Sequence, residues 1–309
     1  MKHTFGSFGH LGFICFWLVS LANDLPAPPK PQSLDPASHL ARGLVWRVEG
    51  GKTPVYLVGS FHLLREKDVP YPASIERAYR ASEQVWFEIE PAEMEKPEAI
   101  GKMMAAGALP ADQSLQDVVS AKTFRKVERW ASDPTVKLLM GRMKPWMATL
   151  TVTLFEYQKM GAEPRFGVER AYQDKARKDA KPTGGLETVD LQISLFSGFT
   201  REQQDEMLSQ TFDELAESRK KIAQLIKTWR DGDTEMMAKL IDEGFQDHTD
   251  LRKLLLHDRN ERWIEQIEGL LEGTRATMVI VGAGHLCGEH SVVDILHKKG
   301  WKLTRIEPR

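Results

Sequence analysis

Two histidines share one local setting, and it is a setting in which a histidine can do chemistry. His62 closes Gly59-Ser60-Phe61-His62 and His285 closes Gly282-Ala283-Gly284-His285, directly after the apolar runs Val55-Tyr56-Leu57-Val58 and Met278-Val279-Ile280-Val281. A strand that ends in glycine and turns delivers the next polar side chain to the carboxyl edge of a sheet, where open α/β folds place ligand sites. Glutamates recur in comparable places. Glu88 and Glu90 alternate with Trp86 along Gln84–Glu90 and so share one strand face. Two carboxylates in an apolar strand are costly to bury unless paired or metal-bound. Glu169 and Glu187 each follow a glycine and an apolar residue, in Gly167-Val168-Glu169 and Gly185-Leu186-Glu187, a spacing that also suits a carboxylate complementing a helix dipole. Asp258-Arg259-Asn260 adds a fixed cation and an amide inside a helical run.

Histidines with glutamates make the nitrogen-and-oxygen ligand set of a divalent transition metal, Mn²⁺, Co²⁺ or Zn²⁺, with a position left for water. Metal lowers the pKa of that water, a free glutamate takes its proton, and Arg259 or backbone N–H groups stabilise the oxyanion that follows. In a metal-free version a histidine or glutamate is itself the general base. The short routes to hydrolysis, H-E-x-x-H and G-x-S-x-G, are missing from the sequence. His248, His257, His290 and His297 lack any matching context and read as surface or helix-packing residues. Cys287, two residues beyond His285, reads either as a soft metal ligand or as a small apolar filler.

These side chains need strands and turns to hold them. Leu44–Val48 and Pro54–Val58 flank Glu49-Gly50-Gly51-Lys52, a hairpin signal. Tyr71–Ser82 has helical spacing, and Gln84–Glu90 reads as a strand ended by Pro91. From about 97 to 273 the pattern is helical, with one extended stretch near Lys181–Leu186 and long periodic runs at Thr200–Trp229 and Asp247–Leu271. Strand chemistry returns at Ala276–Val281, followed by a helix near His290–Lys299 and a strand at Lys302–Ile306. The two Gly-x-x-His units thus echo each other as strand, turn, helix and strand, closing on Ile89-Glu90-Pro91 and Ile306-Glu307-Pro308. The fold expected is α/β of the α+β kind: two β-rich halves, related by that repeat, form a central sheet with a large helical insert.

Composition bounds the rest. With 309 residues, 41% of them hydrophobic, the chain can bury a substantial core, and a net charge of −2 gives no basic excess for nucleic acid. Lys2 and His3 precede the apolar stretch Leu11–Ala22, which reads as an export signal with cleavage after Ala22; the alternative is an uncleaved anchor. The expected organisation is a signal peptide at 1–22, a Pro-rich linker at 23–43 and one domain at 44–309, placed in the periplasm or outside the cell. No transmembrane span is expected in the mature chain. Loss of Cys15 with the signal would leave Cys287 without a disulfide partner.

Taken in order, Gly59-Ser60-Phe61-His62-Leu63-Leu64, Trp86-Phe87-Glu88-Ile89-Glu90, Lys144-Pro145-Trp146, Gly167-Val168-Glu169, Gly185-Leu186-Glu187-Thr188, Asp258-Arg259-Asn260 and Gly282-Ala283-Gly284-His285 resemble the TraB/GumN family. That family includes the Tiki metalloproteases and is distantly similar to erythromycin esterases and ChaN-type haem-binding lipoproteins. The resemblance implies His62 and His285 as metal ligands or catalytic histidines, Glu88 and Glu169 as carboxylate ligands, and Glu88, Glu187 and Arg259 in catalysis. Glu90 and Asn260 would line the same cleft, Glu90 standing where the family often has Asp. It further implies an exported, metal-dependent hydrolase, a peptidase acting on a peptide or other small extracytoplasmic substrate. The alternative expectation is an envelope protein that binds a peptide, a signal molecule or haem in that cleft without turnover.

Overall fold

The computed structural model describes residues 41–245 and 248–308. The signal expected at 1–22 and residues 23–40 of the expected linker lie outside the described residues. The strands are β1 (Val45–Glu49), β2 (Val55–Ser60), β3 (Leu64–Arg65), β4 (Gln84–Ile89), β5 (Ala162–Glu163), β6 (Thr183–Glu187), β7 (Thr277–Gly282) and β8 (Lys302–Arg305). A central six-stranded sheet has the order β6-β4-β7-β2-β1-β8, and β3 pairs with β5 in a small ribbon.

The repeat seen in the sequence becomes the middle of this sheet. β2 and β7 are parallel neighbours, with Val55 opposite Thr277 and Ser60 opposite Gly282. β4 lies parallel to β7 on one side and to β6 on the other. The ends of β2, β4, β6 and β7 therefore open on one edge, the place that α/β topology favours for a site. β1 runs antiparallel to β2 and to β8. Strands buried on both faces read as continuous apolar runs, and β2 and β7 are buried at every position.

The span from 97 to 273 is mostly helical, but its one extended stretch is β6, a strand of the central sheet. Helix Pro145–Lys159 joins two apolar cores. Trp146, Met147 and Leu150 belong to the main core under the sheet, while Ala148 and Val152 belong to a second cluster with Leu109, Leu115, Val127, Met140 and Leu208. Buried nearly all round, the helix cannot show one apolar stripe. Its interior hydroxyls are satisfied locally: Thr149, Thr151 and Thr153 donate to the carbonyls of Pro145, Met147 and Thr149. The Lys144-Pro145-Trp146 motif marks the start of this helix, with Pro145 in its first turn and Trp146 fully buried against Phe196 at 5.8 Å between rings.

Helix Arg201–Asp231 begins in a capping box between Thr200 and Gln203 and reaches back to the sheet. Near its end Trp229, fully buried, donates its indole N–H to the Gly59 carbonyl at 2.7 Å. The first Gly-x-x-His turn is thereby pinned from the helical side. The run expected as one helix from 247 to 271 is Thr249–Arg252, a wide turn of π type at Lys253–His257, and helix Asp258–Leu271. Among the described residues no helix is long and apolar enough to cross a membrane.

Candidate functional site

The strand edge gathers the predicted side chains into one buried polar cluster. His62, Glu88, Glu169, Glu187, Arg259, Asn260 and His285 are each at most 8% exposed. Glu88 comes from β4 and Glu187 from the last position of β6, while His62 and His285 follow β2 and β7. Glu169 lies in the first turn of helix Val168–Lys178, and Arg259 and Asn260 lie in that of Asp258–Leu271. Glu90 stands apart. β4 ends at Ile89, Glu90 precedes the turn of helix at Pro91–Met94, and its carboxylate accepts a hydrogen bond from the Thr183 hydroxyl at 2.6 Å.

Glycine sets the closest approaches. A Cβ on Gly167 would lie 2.2 Å from the His62 carbonyl oxygen, so only glycine lets that chain reach the first turn. There the Val168 N–H donates to the Phe61 carbonyl at 3.1 Å, and Glu169 meets His62 Nδ1 at 2.9 Å. On the other side, a Cβ on Gly185 would lie 2.3 Å from the Glu90 nitrogen, so glycine is what allows β6 to pair closely with β4.

The cluster has two groups. In the first, His62 donates Nδ1–H to Glu169, whose Oε1 also faces the Ser60 hydroxyl. The Ser60 hydroxyl is also 2.9 Å from the Val281 carbonyl, which ties β2 to β7. Glu169 Oε2 is buried with no hydrogen-bond partner among the described residues. In the second group Arg259 is the hub. Its Nε contacts both Glu187 oxygens at 2.9 and 3.1 Å, and Nη2 reaches Glu187 at 2.9 Å and Glu88 Oε2 at 2.5 Å. Nη1 donates to the Leu255 carbonyl at 3.2 Å and to His285 Nε2 at 3.1 Å. A guanidinium has five N–H donors, and these contacts occupy all of them. Trp263 lies 4.9 Å beneath the guanidinium and 4.4 Å from the His285 ring.

The hydrogen bonds fix the His285 tautomer. Asn260 donates its amide N–H to the His290 carbonyl at 2.8 Å, so its oxygen faces His285 Nδ1 at 2.6 Å and accepts that N–H. Nε2 is then the lone-pair nitrogen, and Arg259 Nη1 donates to it. Burial, reinforced by the neighbouring Arg259 charge, pushes the His285 pKa down to about 3, so the ring is neutral.

Glu88 has the opposite character. Burial works against its charge, but Arg259 foremost and the Gly282 N–H, at 2.8 Å from Oε1, hold its pKa at about 2. Burial alone would also depress His62, yet the Glu169 carboxylate more than reverses this and raises its pKa above 6.5. The charges of Glu88 and Arg259 act on His62 as well, which makes the two groups one electrostatic unit.

Ser60 and Gln192 are additions to the residues the sequence marks. Gln192 is 4% exposed and its amide lies 3.1 Å from Glu187 and 3.3 Å from Glu88, bridging the carboxylates. Ser60 sits inside the first Gly-x-x-His motif and was visible there. Gln192 carries no such signal, because a glutamine in an ordinary helical turn looks like any other. Cys287 is buried among apolar residues with its thiol pushed up to about 12 by burial, which suits a filler.

A divalent ion would require several donors turned to one point. Among the described residues no group of three or more His, Cys, Asp or Glu is arranged to hold one. The residues expected to share an ion divide instead: His62 pairs with Glu169, while Glu88 and His285 turn their acceptors to Arg259. Among the described residues the expected ligands thus do not converge on one point.

The TraB/PrgY/gumN family model matches residues 44–305. Similar curated proteins include metalloprotease TIKI2 of Danio rerio, 24% identical over an alignment covering 83% of this chain and 59% of that protein. Metalloprotease TIKI1 of Homo sapiens is 24% identical, with 87% of this chain and 63% of that protein covered. The protein YbaP of Escherichia coli (strain K12) is 20% identical, over 80% of this chain and 89% of its own length. The chain thus spans less than two thirds of these two TIKI proteins and most of YbaP. No solved structure matches. With the family model covering nearly the whole described body, this chain belongs to the TraB/PrgY/gumN family.

Proposed function

We propose that this chain is an exported hydrolase that cleaves peptide bonds, with His62 as its acid–base group and Glu169 as the carboxylate that orients it. The observation that carries the reading is the buried His62–Glu169 pair, 2.9 Å apart, set against a cluster whose other titratable groups are locked. Held at a pKa of about 2, foremost by Arg259 against its burial, Glu88 stays ionised at pH 7 and is too weak a base to take a proton from water. His285 is neutral and its Nε2 already accepts from Arg259. His62 alone has its pKa raised from a value near neutrality.

The chemistry runs through His62 Nε2. With Nδ1–H held by Glu169, the other ring nitrogen takes a proton from water as its oxygen attacks the scissile carbonyl, and Glu169 stabilises the imidazolium. The proton then passes to the leaving amine. Arg259 has no N–H left for an oxyanion, so it acts by fixing Glu88, Glu187 and His285 and by its charge. The similarity to proteins named metalloproteases supports peptide as the substrate class, and the apolar Leu11–Ala22 run supports export with cleavage after Ala22.

The enclosure of the cluster favours a second reading, in which it is an ion network that only holds the fold. One experiment separates the two: incubation of a peptide library with the purified chain and with His62→Ala and Glu169→Gln, followed by mass spectrometry. Cleavage by the wild type, lost in folded variants, supports the hydrolase. A wild type that leaves every peptide intact sinks it.

A further inference from the structure

We propose that Arg259 is the resident cation of this site, occupying the place that a metal ion would take, and that the chain works without a metal. Activity without a metal rests on the hydrolase reading; the occupancy of the site by Arg259 does not.

The donor types around Arg259 are those a metal site uses, two carboxylates, Glu88 and Glu187, and the lone-pair nitrogen of a tautomer-fixed histidine, His285, but they are spread around a guanidinium and, among the described residues, do not converge on one point. All three turn toward the guanidinium at 2.5 to 3.1 Å. An ion bound to His285 Nε2 would sit at about 2.0–2.1 Å from it. The same nitrogen is 3.1 Å from Arg259 Nη1, so two cations would be forced together out of water.

The guanidinium is also built in from the other side. The π-type turn at Lys253–His257, in which the Asp258 N–H bonds to the Lys253 carbonyl, leads directly into Arg259, and the Leu255 carbonyl within that turn accepts from Arg259 Nη1. Such turns are frequent at functional sites. Trp263 stacks beneath, and Gln192 supplies an uncharged donor to the same two carboxylates. Every element that faces the guanidinium thus satisfies a planar cation with five donors, a shape no metal ion has.

The test is metal binding, read without reference to activity. Full-length protein, freed of ions with a chelator, is titrated with Zn²⁺, Mn²⁺ and Co²⁺ by calorimetry, alongside Arg259→Ala and the double variant Arg259→Ala/Glu187→Gln. The wild type should bind no ion stoichiometrically below about 100 µM. Arg259→Ala, with its donors released, should bind one ion per chain at least about 100-fold more tightly, and the double variant should lose that gain. An Arg259→Ala chain that folds only with metal counts as the gain. One ion per wild-type chain at micromolar affinity overturns the proposal, as does a folded Arg259→Ala that binds none. Should that variant fold under neither condition, the wild-type titration decides alone. Peptide cleavage is scored separately: its absence defeats the hydrolase reading and leaves the binding result standing.

Discussion

Glu88→Gln tests the electrostatics of the cluster because its size can be worked from the structure. The substitution keeps an acceptor for the Gly282 N–H but removes the charge facing Arg259 at 2.5 Å. Folding lowers the Glu88 pKa from 4.5 to about 2. A depressed carboxylate pKa contributes stability that is present above the unfolded value and lost as pH falls through the folded one. At 1.36 kcal/mol per unit, the contribution is about 3 kcal/mol at pH 7 and about 1 kcal/mol at pH 3. The glutamine variant should therefore lose about 3 kcal/mol in urea unfolding at pH 7, or about 6–12 °C in melting temperature, and much less at pH 3. A loss under about 1 kcal/mol at pH 7, or one equal at both pH values, would refute the reasoning.

Further outcomes follow from other parts of the cluster. Imidazole nitrogen NMR should show His285 in the Nδ1–H form and unchanged from pH 5 to 8, with His62 titrating above 6.5; a His285 midpoint near 6.5 contradicts the assigned hydrogen bonds. Gly167→Ala, which puts a Cβ 2.2 Å from the His62 carbonyl, should cost about 1–3 kcal/mol and, by parting His62 from Glu169, lower the His62 pKa; an unshifted His62 titration would show that the approach does not depend on glycine. Cys287, buried and with its thiol pushed up to about 12, should resist a thiol reagent until the chain unfolds, and fast labelling of the folded protein would contradict that burial.

Much of the site was legible because strand ends announce themselves. Gly59 and Gly282 after apolar runs placed the histidines on one edge, and β2 beside β7 is the physical form of the repeat. The glutamate after Gly167 was legible as a residue, but its dipole reading was incomplete: Gly167 is a contact point, and Glu169 reaches across it to His62. Glu187 likewise ends a strand rather than opening a helix. What the sequence hid was pairing. Nothing in Asp258-Arg259-Asn260 says that Arg259 spends all its donors on Glu88, Glu187, His285 and Leu255, since those partners lie far away along the chain. Glu90 misled because strand alternation was extended one residue past Ile89, where the chain turns into a helix at Pro91. β6 looked minor because a short strand with two glycines has little pattern to show.

The measurement closest to the central claim is the rate of peptide cleavage by the wild type and by His62→Ala, each folded and each held in excess chelator. The wild type should turn over peptide at a rate the chelator leaves intact, and the variant should show none. Equal cleavage by the two proteins, or wild-type cleavage that vanishes with chelator and returns with added metal, would contradict it.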